Sequence, residues 1–394
     1  MMTLRVRPAW LVAGLILLGL AAAAWEGWHV VRRRREQALV GQVETALGEL
    51  RRGPAALDLR PLLERLEQEG KWKEEHRLLT GADRLRRGDV EGALLFLSAI
   101  EPQGPRRLPH QLLLGEALYQ AGRMAEADPL FARLLLEFPN EADVHRWVAT
   151  ILYDKGELNP AMGALDRASQ LAPDDFLPHQ LMALTYVQDF RQYDDAIRHY
   201  RLGLERNPPE GLRHDMQREL AQCLVFQKEF AEALDLVRQL PTSPRQQLVR
   251  IEALRGLGET DEARSVWNQL EQTAPKLEGV ALMGALLDLD QGLAANARVR
   301  LQRVLAQRPH NVVARNQMVR ACQMLGETDQ AKAEAEKLLA SQALNERHDR
   351  LAAKALAEPG NTSLRRELAQ LCDELGRPAD AARWRRGGGP MRPR

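Results

Sequence analysis

The stretch "LGETDEA", from Leu257 to Ala263, recurs further along the chain as "LGETDQA", from Leu325 to Ala331. A catalytic loop used twice and a structural joint needed at fixed intervals would both leave this pattern. A glycine can adopt the left-handed conformation that ends a helix, and a threonine two residues later can cap the next helix. The stretch therefore fits a turn between two helices.

The same landmarks recur along most of the chain with a constant period of about 34 residues. An alanine follows each glycine by five residues, and a proline often closes the unit twelve positions after the alanine. The phase is disturbed only in the middle, where Ala196 comes one residue late and Ala233 four residues late. The landmarks in phase are Gly88, Gly122, Gly156, Gly258, Gly292 and Gly326; Ala93, Ala127, Ala161, Ala263, Ala297 and Ala331; and Pro139, Pro173, Pro275 and Pro309.

The unit between the two quoted copies shows that the joint is structural. Its turn reads "LDQGLAANA", in which only Gly292 and Ala297 keep their places, and a catalytic loop would not tolerate that substitution. Apolar runs at helical spacing flank each turn, for example "HQLLLGEALYQAG" and "AEADPLFARLLLEFP", and they predict a helical hairpin in each unit. Because one hairpin leaves apolar faces uncovered, stacked units are predicted to form a solenoid with a continuous core.

This combination of period and landmarks resembles the tetratricopeptide repeat (TPR) family, and the N-terminal segment described below makes the membrane-anchored bacterial type of that family the expected form. The resemblance implies an all-α fold, a right-handed helical solenoid of about eight helix-turn-helix repeats. The tryptophan often found early in the family's first helix is missing, and the proline is absent from the eighth unit. Further matching positions are a small residue seven before the glycine (Gly81, Gly115, Ala149, Ala285) and a bulky residue four after the alanine (Phe131, Tyr200, Trp267).

The chain divides into six predicted segments. They are an N-terminal tail at 1–8, a transmembrane anchor at 9–31, a juxtamembrane helical spacer at 32–73, the TPR array at 74–345, an extra helix plus a partial capping repeat at 346–384, and a disordered basic tail at 385–394.

The anchor rests on an uncharged run near the N-terminus. The seventeen consecutive residues from Ala9 to Trp25 are all uncharged, which is at the lower limit for a membrane-spanning helix. The alternative is a signal peptide that is cleaved at the A-x-A motif Ala22–Ala24. The arginines Arg32 to Arg35 favour a single-pass protein of the cell membrane with the array on the cytoplasmic side, and the periplasmic side stays open.

Composition and motifs argue against several classes of function. The chain carries 55 basic and 54 acidic residues, a net charge of +1, whereas nucleic-acid binders normally show a basic surplus. Cys223, Cys322 and Cys372 form no CxxC pair or zinc spacing and are predicted as core residues. Phosphate-binding, zinc-protease and nucleophile-elbow motifs do not occur. We therefore predict a non-enzymatic protein without cofactor, metal, nucleic acid or small-molecule substrate.

Three histidines follow the repeat period. His110, His145 and His179 recur at nearly the same spacing as the glycines, which places them at equivalent helix starts on successive hairpins. Neighbouring helices lie about 10 Å apart, too far for a shared metal with ligand bonds of about 2 Å. We interpret these histidines as repeat-derived helix-start residues.

The resemblance also implies a partner-binding groove, lined by five positions of each first helix. The preferred hypothesis is a membrane-tethered TPR scaffold or adaptor that binds a protein or peptide partner there, because tyrosines, arginines and amides suit such recognition. The alternative is an assembly factor or structural subunit of a cell-envelope complex, which would use the convex face and the spacer. The same side chains are also what any solvated solenoid surface carries. The predicted groove residues are Tyr119, Arg146, Tyr153, Gln180, Arg218, Gln222, Glu252, Arg255, Asn316 and Arg320.

Overall fold

The computed structural model describes residues 9–51, 58–100, 104–277, 279–358 and 361–386. Within these ranges the chain is helical and contains no strand, which confirms the all-α prediction. The predicted tail at 1–8 and residues 387–394 of the predicted basic tail lie outside these ranges.

The described ranges contain twenty α-helices, a 3₁₀ turn at Gly104–Arg106 and a π-helical turn at Tyr186–Phe190. In chain order the α-helices are α1 Ala9–Arg51, α2 Arg60–Glu69, α3 Lys73–Arg86, α4 Val90–Leu97, α5 Arg107–Gln120, α6 Met124–Glu137, α7 Ala142–Asp154, α8 Leu158–Leu171, α9 Leu177–Thr185, α10 Tyr193–Leu204, α11 Glu210–Phe226, α12 Phe230–Arg238, α13 Pro244–Gly256, α14 Thr260–Thr273, α15 Val280–Asp290, α16 Ala294–Gln307, α17 Val312–Met324, α18 Thr328–Ala357, α19 Thr362–Glu374 and α20 Pro378–Arg386.

The chain divides into two compact units, residues 1–137 and 138–394. In the first unit α3 pairs with α4 and α5 with α6. In the second unit the hairpins run from α7–α8 to α19–α20 in chain order. We call the first helix of each hairpin its A helix and the second its B helix. The A helices α11, α13, α15 and α17 also contact one another in sequence, as solenoid-type repeats do.

The turn inside each hairpin is a helix cap built on a left-handed residue. In the sixth repeat Gly258 has a φ of 83°, and its N–H donates to the carbonyl of Arg255 at 3.1 Å. The N–H of Glu259 donates to the carbonyl of Leu254 at 2.9 Å, which completes the hydrogen-bond pair of a Schellman cap. The predicted threonine cap is wrong, because Thr260 already belongs to α14 and its hydroxyl donates back to the Gly258 carbonyl.

The two repeats that disturb the sequence pattern contain the same turn without its glycine. Lys228, with a φ of 65°, lies five residues before Ala233, and Arg191, with a φ of 53°, lies five residues before Ala196. The Lys228 turn keeps both cap hydrogen bonds, while the Arg191 turn follows the π-helical turn. The interval from turn residue to alanine is thus constant, and each late alanine follows a turn that is late by the same number of residues.

Small residues allow the two helices of a hairpin to approach closely. Ala233, Ala263 and Ala297 are fully buried at their crossings. A methyl group added at Gly81 would lie 2.7 Å from Cγ of Leu97, which is inside van der Waals contact. Side-chain size at these positions therefore limits how closely the two helices of a hairpin approach.

The N-terminal segments form one helix rather than two. Helix α1 runs through the predicted boundary between anchor and spacer, and its later part buries Leu39 and Val43. Lys71, just after α2, pairs with Glu36 on α1, so the predicted spacer folds back on itself. Among the helical residues described, no segment combines the length and apolarity needed to cross a membrane.

The C-terminal boundary also differs from the predicted one. Helix α18 continues from Thr328 to Ala357 without interruption, so the B helix of the eighth repeat and the predicted extra helix are one element. The eighth unit lacks the proline that ends other B helices, and the helix therefore continues. Its later part packs Ala355 against Leu368 and Trp384 of the α19–α20 hairpin.

Candidate interaction surface

Six of the predicted groove residues lie on the A helices α11, α13 and α17 of the second unit, and Asp290 lies on the A helix α15 between them. Counted back from each left-handed turn residue, Gln222, Glu252 and Arg320 occupy the same register position, six residues before the turn. We call this surface the polar A-helix face. It consists of Arg218 and Gln222 on α11, Glu252 and Arg255 on α13, Asp290 on α15, and Asn316 and Arg320 on α17.

Gln222 and Glu252 connect the first two helices of the face. The side-chain amide of Gln222 donates to Oε2 of Glu252 at 2.9 Å. Burial raises the pKa of the Glu252 carboxyl, while the hydrogen bond from Gln222 and the charge of Arg255 oppose that rise. The carboxyl is therefore less well stabilised as an anion than an exposed glutamate.

Asp290 joins the next two helices. Arg255 Nε donates to its Oδ2 at 2.5 Å, and Nη1 of Arg320 lies 3.5 Å from its Oδ1. Arg320 is about half exposed, and Asn316 on the same helix is exposed. The face therefore runs across α13, α15 and α17 as one connected polar track.

Arg218 is held within its own helix. Its guanidinium lies 2.7 Å from a carboxylate oxygen of Asp215 and 3.4 Å from one of Glu219. Such pairs within one helix fix the direction of a long side chain with little gain in stability.

The residues predicted in the third repeat are less available than the sequence indicates. Arg146 pairs with Asp143 on α7 and lies 3.6 Å from Asp175. Tyr153 is 9% exposed and packs in a small core cluster with Leu158. Its hydroxyl donates to the carboxylate of Asp189, so only its polar end contributes to a surface.

The two remaining predicted residues, Gln180 and Tyr119, are not part of the polar A-helix face. Gln180 on α9 is half-buried and lies eleven residues before Arg191, one position away from the register that places Arg218 on the face. Tyr119 is half-buried on α5 and belongs to the first unit. The glycine ladder predicted the wrong register for Gln180 because the fourth repeat has no glycine at its turn.

Sequence reasoning predicted Glu252 but missed two other acidic members of these contacts, Asp290 and Asp189. Asp290 is the centre of the ionic track, and Asp189 is the partner of Tyr153. Both lie two residues before a left-handed turn residue. Their common distance from the turn residue was a signal that the sequence contained. It becomes visible only when Arg191 is recognised as the turn residue of the fourth repeat.

A second ionic network lies between α14, α15 and α16. Asp288 is 2% exposed and accepts from Arg264 at 2.8 Å and from Arg300 at 2.9 Å. Both guanidinium groups lie over the ring of Trp267, at 5.3 and 4.3 Å from its centroid. The indole N–H donates to the Val280 carbonyl at 2.9 Å. This network joins consecutive repeats through a buried charge cluster and cation–π contacts.

The histidine row is divided among three environments. His110 bonds to the carbonyl of Leu97 at 2.7 Å, and His145 bonds to the carbonyl of Pro139 at 2.9 Å. His179 instead meets His199 on α10, with their Nδ1 atoms 3.1 Å apart. Burial lowers the pKa of His179 to about 4, with help from the charge of Arg206. Burial lowers the pKa of His199 as well, so both imidazoles are neutral at pH 7.

Two family models describe parts of the chain as tetratricopeptide repeats. One matches residues 118–184 and 288–355, and the other matches residues 181–246. The matched segments include α11, α12, α16 and α17, whereas residues 247–287, which hold most of α13, all of α14 and most of α15, lie outside them. The chain belongs to the tetratricopeptide repeat family.

Several solved structures align with parts of this chain at low sequence identity. PilF from Pseudomonas aeruginosa is 21% identical, with 52% of this chain and 93% of that chain covered and a TM-score of 0.45. The APC/C hetero-tetramer Cut9–Hcn1 is 17% identical, with 72% of this chain and 55% of that chain covered and a TM-score of 0.48. A tetratricopeptide repeat protein from Parabacteroides merdae is 15% identical, with 68% of this chain and 99% of that chain covered and a TM-score of 0.43. No protein of curated function matches the chain.

The TPR hairpins carry little reactive chemistry in the part of the chain that the structure describes. The three cysteines are buried in the core, as predicted. Burial raises the pKa of the Cys223 thiol to about 12 and also raises the pKa of Cys322, and a protonated thiol is a poor nucleophile. No group of three or more potential metal ligands occurs among the described residues. What these hairpins offer is a surface of amides, arginines and carboxylates.

Proposed function

We propose that this protein is a membrane-tethered, non-catalytic TPR scaffold that binds a protein or peptide partner on its polar A-helix face. The observation that carries the proposal is the track Arg255–Asp290–Arg320, which spans three A helices through contacts of 2.5 and 3.5 Å. The ion pairs of this track link side chains of successive repeats, so hydrogen-bond donors and acceptors recur at regular intervals along the face. An extended chain offers matching groups at regular intervals.

A pair of crosslinking positions tests where the partner binds. A photoreactive residue at Asn316 lies on the polar A-helix face, and one at Arg303 lies on the exposed side of the B helix α16. In living cells we expect a specific protein adduct from position 316 and none from position 303. Adducts from 303 alone would place the site on the B helices and favour the alternative of an envelope-complex subunit.

A charge reversal measures what the face contributes. Arg320→Glu should weaken capture of the crosslinked partner by about tenfold, because a favourable contact becomes a like-charge contact with Asp290 and the partner's acidic groups. Arg303→Glu is the matched control, since it makes the same change on α16 and should leave capture unchanged. Equal loss in both variants would indicate a general charge effect and contradict the proposal.

The tether is proposed from the N-terminal sequence. The uncharged run Ala9–Trp25, closed by Arg32 to Arg35, supports a single-pass anchor at residues 9–31 with the repeats on the cytoplasmic side. An arginine in the middle of such a run opposes insertion by about 3 kcal/mol, so Ile16→Arg should move the protein into the carbonate-soluble fraction. Gln37→Arg, beyond the run, is the control. Protection of the repeats from protease added to sealed, right-side-out vesicles would support the cytoplasmic side, and digestion would contradict it.

A further inference from the structure

Glu252 differs from the other acidic residues around the polar A-helix face. Arg218 lies within 4 Å of both Asp215 and Glu219, and Asp290 is contacted by two arginines. For Glu252 the described residues supply a neutral amide, from Gln222 at 2.9 Å, and no ion pair within 4 Å. The nearest arginine on its own helix, Arg255, is bonded to Asp290. Glu252 is therefore a half-buried carboxylate without a bonded counter-charge.

The neighbouring helices do not supply that counter-charge. The residue at the same register position on the preceding A helix is Gln222, and on the following A helix it is Leu286. Leu286 is 8% exposed and belongs to the core. Leu248 on α13 and Leu282 on α15 lie one helical turn before Glu252 and Leu286, and both are half-buried. Glu252 thus lies between an amide on one side and a row of leucines on the other.

The acceptors at this position match a guanidinium group. A carboxylate can accept about four hydrogen bonds, and among the described residues Glu252 receives one. Gln222 uses its N–H₂ on Glu252, which leaves its carbonyl oxygen as a second acceptor beside the carboxylate. A guanidinium carries five N–H donors in a planar fork and can donate to two adjacent acceptors. Its aliphatic stem covers apolar surface such as Leu248 and Leu282 while the charged end is bonded.

We propose that Glu252 and Gln222 form a subsite on the polar A-helix face for an arginine side chain of the bound partner. The inference rests on the proposed function and adds the chemistry of one partner residue. Charge complementarity decides the occupant, because an incoming guanidinium supplies the missing counter-charge, whereas a carboxylate would meet Glu252 and an apolar group would leave it unpaired.

Peptide pools separate the charge of arginine from its shape. We would use short, blocked, fluorescein-labelled pools that are random except for a central arginine or a central citrulline, which has the same length but no charge. Fluorescence polarisation with the full chain should show the arginine pool binding about tenfold more tightly, as expected for a hydrogen-bonded charge pair. In Glu252→Gln this preference should disappear. In Glu219→Gln, the matched control on α11, it should remain.

The outcomes distinguish this inference from the proposed function. Equal binding of both pools would leave a peptide-binding face but overturn the arginine subsite. A preference that persists in Glu252→Gln would place the cation elsewhere and also overturn the subsite. Binding of neither pool would overturn both the subsite and the proposed function. Circular dichroism and thermal unfolding of Glu252→Gln, expected to match the parent chain, would show that a lost preference does not come from misfolding.

Discussion

Two carboxylates on one helix of the seventh repeat, Asp288 and Asp290, show how the same chemistry serves two purposes. Each is bonded to two arginines from neighbouring helices. Asp288 is 2% exposed and joins the B helices α14 and α16, whereas Asp290 is exposed and joins the A helices α13 and α17. Burial is the difference, and it determines which carboxylate stabilises the stack and which remains available to a partner.

The largest expected effect comes from removing the buried carboxylate. Asp288→Ala leaves Arg264 and Arg300 without their shared counter-charge in a desolvated site, and such a loss destabilises by about 3 to 5 kcal/mol. Urea denaturation followed by circular dichroism measures the change, and hydrogen exchange should locate it in α14–α16. A shift no larger than that of Asp290→Ala would show that burial does not separate the two carboxylates.

The buried histidine pair provides a polar contact without any charge. Because burial lowers the pKa of His179 to about 4, its unfolded form, with a pKa near 6.5, binds protons at a higher pH than the folded form. The free energy of unfolding should therefore fall as pH decreases from about 6.5 to about 4, by about 2 to 3 kcal/mol for this group.

Denaturation midpoints between pH 7 and pH 4.5 test this dependence. His179→Gln should flatten the pH profile relative to the parent chain. His145→Gln is the control, because His145 is half-buried and bonds to a single carbonyl. An unchanged slope in His179→Gln would show that other groups cause the acid sensitivity.

The hairpin turns also affect the comparison of Asp288 with Asp290, because the turns set where each A helix and its carboxylates lie. Lys228 occupies a left-handed conformation, with a φ of 65°, that disfavours side chains by about 1 kcal/mol relative to glycine. Lys228→Gly should stabilise the chain by up to that amount. Gly258→Lys, at a φ of 83°, should destabilise it by at least as much. Thermal unfolding of both variants measures the pair, and changes of the same sign would contradict this account.

The smallest expected change in stability belongs to the exposed carboxylate. Asp290→Ala removes a solvent-exposed ion pair, which contributes about 0 to 1 kcal/mol. The residue also lies at the C-terminal end of α15, where a negative charge is unfavourable, so the net effect should be close to zero. Partner capture should nevertheless change, because Arg255 and Arg320 lose the group that positions them. Loss of stability without loss of capture would reverse the roles assigned to the two carboxylates.

The sequence by itself determined the repeat. The spacing of Gly258, Gly292 and Gly326, with an alanine five residues later, predicted helical hairpins and the TPR family. These signals are local, because a left-handed turn and a close helix crossing depend on one or two residues each. For the same reason, missing glycines obscured the fourth and fifth turns, although Arg191 and Lys228 keep the same geometry.

Only the tertiary structure decided which side chains meet. Gln222 with Glu252, and Arg255 with Asp290, are 30 and 35 residues apart, and their contact depends on how one hairpin stacks on the next. The sequence did not show that Tyr153 is buried or that α18 continues to Ala357. The physical reason is that side-chain burial and ion pairing are set by neighbouring repeats, while helix propensity and turn conformation are set within one.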